Sequence, residues 1–268
     1  MAGAVAHKMR LFAIGDIHGC YAALLTLSAE VGFGAQDVVV VLGDYVDRGP
    51  DSRLVLDHLI ALAQRATLVP LLGNHELMML RAREGGSNLE DWISAGGSAT
   101  LDSYRAQSPE GIPARHWEFL KTCRPFYETE RDFFVHANAD PDRCLADQNE
   151  GMLYWQRFGY PSPHQSGRRM ICGHTQQRDG RPLDLGHAVC LDTCAYEDGW
   201  LTCLEVGSGV YWQANQLSQI RIGTLQLTLE QSLVVTSSGL PKAAWRGHGS
   251  AVCDSRLLVS PAPESSPL

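Results

Sequence analysis

No long apolar run, basic stretch or paired-cysteine motif appears in the 268 residues, and each absence narrows the field. The apolar start of the chain breaks at Gly15-Asp16, too soon for a signal peptide or a membrane span of ~20 residues. The reading is therefore a cytoplasmic protein without a membrane partner. The 22 basic side chains stand against 30 acidic ones, for a net charge of −8. Nucleic acid is thus not an expected partner, because its binding rests on clustered positive charge. The eight cysteines include no C-x-x-C pair. Cys190, Cys194 and Cys203 come nearest to a cluster, but their spacing suits no zinc site, so they read as small buried hydrophobes or surface thiols. Covalent catalysis also lacks its signatures. Cys123-Arg124-Pro125 is a bare Cys-Arg pair, and no G-x-S-x-G turn is present. No solenoid period is found.

What is there suits an ordinary globular chain, 44% hydrophobic and 19% charged, long enough to bury a core without staples. Short apolar runs at 11–14, 38–42 and 68–72 alternate with helical patterns at 21–31 and 52–64. That alternation predicts βαβ units with buried strands. Residues 76–127 read as a helical insertion packed beside the sheet. Strands are then expected at 133–135, 170–172, 188–191, 200–206 and 210–213, forming an all-β second half whose sheet faces the first. Leu225, Leu227 and Leu229 alternate with polar residues and suggest one more strand. Residues 1–236 are expected to form a single domain. The Gly-, Ser- and Pro-rich stretch 237–268 reads as a flexible tail.

The chemistry gathers at strand ends. The first run leads into Gly15-Asp16-Ile17-His18-Gly19, the second into Gly43-Asp44-Tyr45-Val46-Asp47-Arg48-Gly49, and the third into Gly73-Asn74-His75-Glu76. His136 and His174 follow two later strands. A strand-end Asp is usually a turn or helix cap, and a lone His after an apolar run is usually core. Five such ends, all bearing oxygen or imidazole donors, point instead to metal. Such donors without thiolates suit Mn, Fe or Zn in hydrolytic sites, and one bridging carboxylate would let the set hold two ions.

These motifs, in this order and spacing, closely resemble the phosphoprotein phosphatase branch of the calcineurin-like metallophosphoesterases, in its bacterial and phage form. The matching motifs run from 15 to 174, with looser similarity to about 215. The resemblance implies an α/β fold of two mixed β-sheets packed as a sandwich and flanked by helices. It implies two divalent metal ions, with Mn²⁺ expected to serve in vitro. Asp16 and His18 would bind the first ion, Asp44 would bridge both, and Asn74, His136 and His174 would complete the second. Arg48 would grip the phosphate, and Arg157, in Leu153-Tyr154-Trp155-Gln156-Arg157, is the candidate second arginine. His75, paired with Asp47, would donate a proton to the leaving alkoxide after direct attack by a metal-bridging hydroxide. The implied activity is a protein serine/threonine phosphatase acting on a phosphoprotein or phosphopeptide.

The alternative is a symmetrical bis(5'-nucleosyl)-tetraphosphatase of the same fold. Such enzymes typically carry a small residue in place of the Asp of the D-R-G motif and end the third motif in Asp, whereas Asp47 and Glu76 are both present here. Two departures stand out. His136-Ala137-Asn138 has a bulkier turn than the His-Gly-Gly or His-Ala-Gly of relatives. Gly173-His174-Thr175 has the bacterial form, so no regulatory subunit is expected.

Overall fold

In the computed structural model, which describes residues 9–226, the first third is built by local rules. Leu11–Ile14 (β1), Val38–Val41 (β2) and Thr67–Pro70 (β3) pair in parallel. Tyr21–Val31 (α1) and Ser52–Leu62 (α2) connect them. Each helix buries one apolar stripe at helical spacing, Ala23, Leu24, Leu27 and Val31 in α1 and Val55, Leu56, Leu59 and Leu62 in α2. The insertion is helical as expected: Asn74–Ala82 (α3), Ser87–Trp92 (α4), Ser98–Tyr104 (α5) and Ala114–Lys121 (α6). A wide turn over Ile93–Gly97 joins α4 to α5, and there Gly96 leaves helical geometry at φ 118°.

The second half departs from the expectation of one separate sheet. Phe126–Glu128 (β4), Asp132–Val135 (β5), Arg169–Cys172 (β6), Leu183–Asp184 (β7) and Ala188–Cys190 (β8) form a five-stranded sheet in the order β4-β5-β6-β8-β7. Leu201–Glu205 (β9), Val210–Ala214 (β10) and Ile220–Thr224 (β11) instead return to the first sheet, ordered β11-β10-β9-β1-β2-β3. β9 lies antiparallel to β1, with Phe12 opposite Glu205. The physical reason is that β9 is buried on both faces, a pattern any interior strand shows whichever sheet it joins. The last strand ends at Thr224, ahead of the expected 225–229 run. Leu227, Leu229 and the 237–268 stretch lie outside the described residues.

Side-chain alternation along the strands sorts the core into layers. Ala13, Val40, Val69 and Leu204 of the first sheet meet Phe134, Ile171 and Val189 of the second in one buried cluster. Phe12, Ile14, Val39 and Val41 face the other way, onto α1 and α2. Each aliphatic side chain buried in this way contributes ~1.5–3 kcal/mol relative to exposure. The sandwich thus brings the ends of β1, β2 and β3 together with those of β5, β6 and β8. Among the described residues no helix is long and apolar enough to cross a membrane. None of the seven cysteines among the described residues forms a disulfide, and Cys20, Cys172, Cys190, Cys194 and Cys203 are buried.

Candidate metal centre

The strand ends converge, and their backbone is strained where they do. Five of the eight non-glycine residues with left-handed φ among those described are His18, Asp44, Asp47, Arg48 and His174. Each such conformation costs ~1–2 kcal/mol, so the expense is concentrated at the site rather than spread over turns. Two glycines make the approach possible. A Cβ on Gly73 would lie 2.3 Å from Asp44 Oδ1, and one on Gly173 would lie 2.0 Å from Asp16 Oδ1.

Three histidines are held in one tautomer by the main chain. His18 Nδ1 donates to Val46 O at 2.9 Å, His136 Nδ1 to Leu42 O at 2.8 Å, and His174 Nε2 to Trp155 O at 3.2 Å. Each ring is left with one bare lone pair, and these turn inward. His136 Nε2 and His174 Nδ1 face Asn74 Oδ1 at 2.9 and 3.1 Å. Asp44 stands between, with Oδ2 3.4 Å from His18 Nε2 and Oδ1 3.4 Å from His136 Nε2. Burial lowers all three imidazole pKa values, that of His174 to about 4 with His136 adding to the effect, so the rings are neutral near pH 7. Burial alone would raise the Asp44 carboxyl, yet it lies below the usual carboxylate range, and His75, whose own pKa is raised, is the imidazole that can carry the charge responsible.

The centre is therefore a buried set of acceptors facing acceptors, which is stable only around positive charge. Arg48 supplies some of it, donating from Nη1 to His18 Nε2 at 3.1 Å. The donor set fits divalent ions: neutral imidazoles oriented by outer hydrogen bonds, an amide oxygen and a shared carboxylate. Two groups have ligand atoms within 4.8 Å of one another, His18 with Asp44 and His75, and Asp44 with His136 and His174. Asp16 stands outside both groups. Its oxygens accept the His174 N–H at 3.0 Å each, and burial, with Asp192 and Asp44 nearby, raises its carboxyl.

His75 lies edge-on to His18, ring centroids 4.7 Å apart, and its Nδ1 donates to Asp47 Oδ2 at 2.7 Å. Burial works against its charged form, but Asp44 and Asp47 outweigh it and raise its pKa. The predicted pair is thus in contact. Arg157 is not brought to the cluster by any contact of its side chain, which is exposed. Its main chain is tied to the site, however. Asn138, two residues after His136, donates Nδ2 to Arg157 O at 3.1 Å and Phe158 O at 3.4 Å. The bulkier turn seen in the sequence is therefore a buried clasp on the Arg157 segment.

Several residues have roles at the site that escaped the sequence reading, Glu76 among them although its motif was noted. Glu76 Oε2 accepts the N–H groups of Gly73 and Asp44, and its Oε1 those of Tyr45 and Val46, tying the second strand end to the third. Tyr196 lies under Arg48, 4.8 Å from ring centroid to guanidinium, and edge-on to His18 at 5.0 Å. Asp192 is buried near Asp16, and burial pushes its carboxyl up to about 7. It follows β8 as Asp16 follows β1, so the same strand-end signal could have found it. Trp92 and Thr100, from the insertion, carried no signal of this kind.

Known proteins resemble the chain across most of this fold. The family described as Calcineurin-like phosphoesterase matches residues 9–177. Serine/threonine-protein phosphatase 1 of Salmonella typhimurium is 40% identical over 216 residues, 73% of this chain and 91% of that one. A symmetrical bis(5'-nucleosyl)-tetraphosphatase of an Acidovorax species is 47% identical over 78 residues, 29% of this chain, and the chain spans only 27% of that relative's length. The solved cold-active protein-tyrosine phosphatase of a Shewanella species shares the fold, with a TM-score of 0.57 and 17% identity over 80% of each chain. Matched over more than half its length by the family and over nearly all of the Salmonella relative, the chain belongs to the calcineurin-like phosphoesterases, metal-dependent hydrolases of phosphoric esters.

Proposed function

We propose that this chain is a protein serine/threonine phosphatase of the cytoplasm, with two divalent ions held by Asp16, His18, Asp44, Asn74, His136 and His174. The observation that carries the reading is the buried Asp47–His75 pair set beside the acceptor cluster. Bound ions would supply charge for the phosphate oxygens and a water of lowered pKa. The remaining work falls to side chains. Arg48, exposed at the mouth, offers a planar fork of donors to two phosphate oxygens, and Arg157 is the proposed second grip. His75 spends Nδ1–H on Asp47, which leaves Nε2 to hold the proton that a leaving alkoxide takes up. A serine alkoxide leaves poorly without that proton, whereas a nucleotide phosphate needs it far less. A buried acid pair therefore matches alkyl esters, and the substrate is a phosphoprotein. The near-complete match to a relative named as a protein phosphatase supports the same choice.

The second reading is a symmetrical tetraphosphatase, favoured by the 47% identity over 78 residues to a relative of that name. The test is turnover of a phosphoserine peptide against diadenosine tetraphosphate in Mn²⁺-restored protein, repeated with His75→Asn. Faster peptide turnover that collapses in the variant by ~10²-fold or more is the expected result. Preference for the dinucleotide with little loss in His75→Asn would replace the first reading with the second.

A further inference from the structure

We infer that the helical insertion belongs to the proton-donating machinery, with Trp92 and Thr100 as positioning residues that fix the Asp47 carboxylate and, through it, the His75 ring. The inference rests on the reading of His75 as proton donor. Asp47 is 0% exposed, so its lone pairs must be met by protein groups. Three side chains meet them. His75 Nδ1 lies 2.7 Å from Oδ2, Thr100 Oγ1 donates to Oδ1 at 2.7 Å, and Trp92 Nε1 lies 3.0 Å from both oxygens. Because Trp92 reaches both oxygens, it sets the rotation of the carboxylate about its own bond, which His75 alone leaves open.

The hydroxyls add direction. The Asp47 N–H is shared between Thr100 Oγ1 at 2.9 Å and Ser52 Oγ at 3.1 Å, and the two hydroxyls lie 2.9 Å apart. With the Thr100 proton on Asp47 Oδ1, Ser52 donates to Thr100, so one chain of bonds holds both the backbone and the side chain of a residue at φ 71°. The insertion reaches the phosphate grip too. Gly96 O accepts the Arg48 N–H at 3.2 Å, and Gly97 lies so close under the Trp92 ring that a Cβ would stand 2.5 Å from it. A core tryptophan needs only its bulk, and a core threonine is as well served by valine. These two instead aim their polar atoms at a single carboxylate.

The polar atoms can be removed with the shape kept. In Trp92→Phe and Thr100→Val, the ratio of phosphoserine-peptide turnover to p-nitrophenyl phosphate turnover is expected to fall ~10-fold or more, because only the alkyl ester depends strongly on the donated proton. Thr100→Ser, which keeps the hydroxyl, is expected to hold the ratio within about threefold of the parent. Both rates come from one preparation, so a fraction of unfolded protein cancels, and Trp92→Phe decides if Thr100→Val does not fold. His75→Asn is run alongside. If it lowers the ratio while Trp92→Phe and Thr100→Val leave it unchanged, the positioning role is wrong and the donor role stands. If His75→Asn itself leaves the ratio unchanged, the donor role fails and the inference fails with it.

Discussion

Asp44 and Asp47 lie three positions apart on one loop, both buried, yet they live in opposite surroundings. Asp47 is surrounded by donors: an imidazole N–H, an indole N–H and a hydroxyl. Asp44 accepts the main-chain N–H of His75 at 3.1 Å, but otherwise it looks at imidazole lone pairs, with the Asn74 oxygen beside them. A buried carboxylate is thus given its task by what faces it. Donors fix it as a support, and acceptors commit it to a cation. Glu76, with four backbone N–H groups, and Asp37, with an arginine, extend the series.

Removing the Asp44 charge should have the largest effect. Asp44→Asn is expected to lose metal, read by elemental analysis, and to lose ~10³-fold or more in turnover, since such ions supply several kcal/mol to the transition state. An Asp44→Asn protein that kept its ions and rate would mean that the acceptor cluster is not the metal centre. Glu76→Gln comes next, and its effect is on stability. An amide turns a donor toward two backbone N–H groups, each costing ~1–3 kcal/mol when left unmatched, so a loss of about 3 kcal/mol is expected by urea denaturation.

Asp47→Asn sharpens the contrast, because it keeps the shape and reverses half of the hydrogen bonding. Its peptide turnover is expected to fall ~10²-fold with metal content unchanged. A loss of metal there would show that the two carboxylates do not divide the work as described. The smallest effect belongs to Asp37, whose oxygens accept from Arg10 at 3.0 and 2.6 Å and from the Gly34 N–H at 2.8 Å. Burial would raise its pKa, but the guanidinium and the N–H outweigh burial and lower it. Because the folded value lies below the unfolded one, near ~3.9, the stabilisation is full above the unfolded value and is lost as pH falls through the folded one. Arg10 is more than a third exposed, so solvent screening holds the loss in Asp37→Asn to about 1 kcal/mol at neutral pH. Acid denaturation curves of the two proteins should converge below pH ~4.

The candidate metal centre was legible because its six donors follow five strands within a few residues, most of them beside a glycine. Strands β1, β2 and β3 were legible for a related reason, since consecutive parallel strands with helices between them leave a local pattern. The sheet to which β9, β10 and β11 belong was not legible. A short buried strand reads the same in either layer, and the pairing of Phe12 with Glu205 has no local trace. The two-residue β7 and the edge strand β4 are too short for any period to show. Trp92 and Thr100 lie 45 and 53 residues beyond Asp47, in helical sequence where they read as ordinary core. Asn138 was visible as an oddity of the turn after His136, but its clasp on the Arg157 segment needed the structure.

The position of β1 between β2 and β9 has a consequence for synthesis on the ribosome. Once made, β1 finds one neighbour early and waits for the other until residues 201–205 are made. Until then its second edge is bare and apolar, a template for any passing strand, and closing so distant a pairing is slow. A chain stopped at Trp200 would already contain all six proposed metal ligands, yet it would carry that open edge into solution. The shortest piece of this protein that stays monodisperse is therefore set by sheet closure and lies well beyond the last residue of the proposed metal centre.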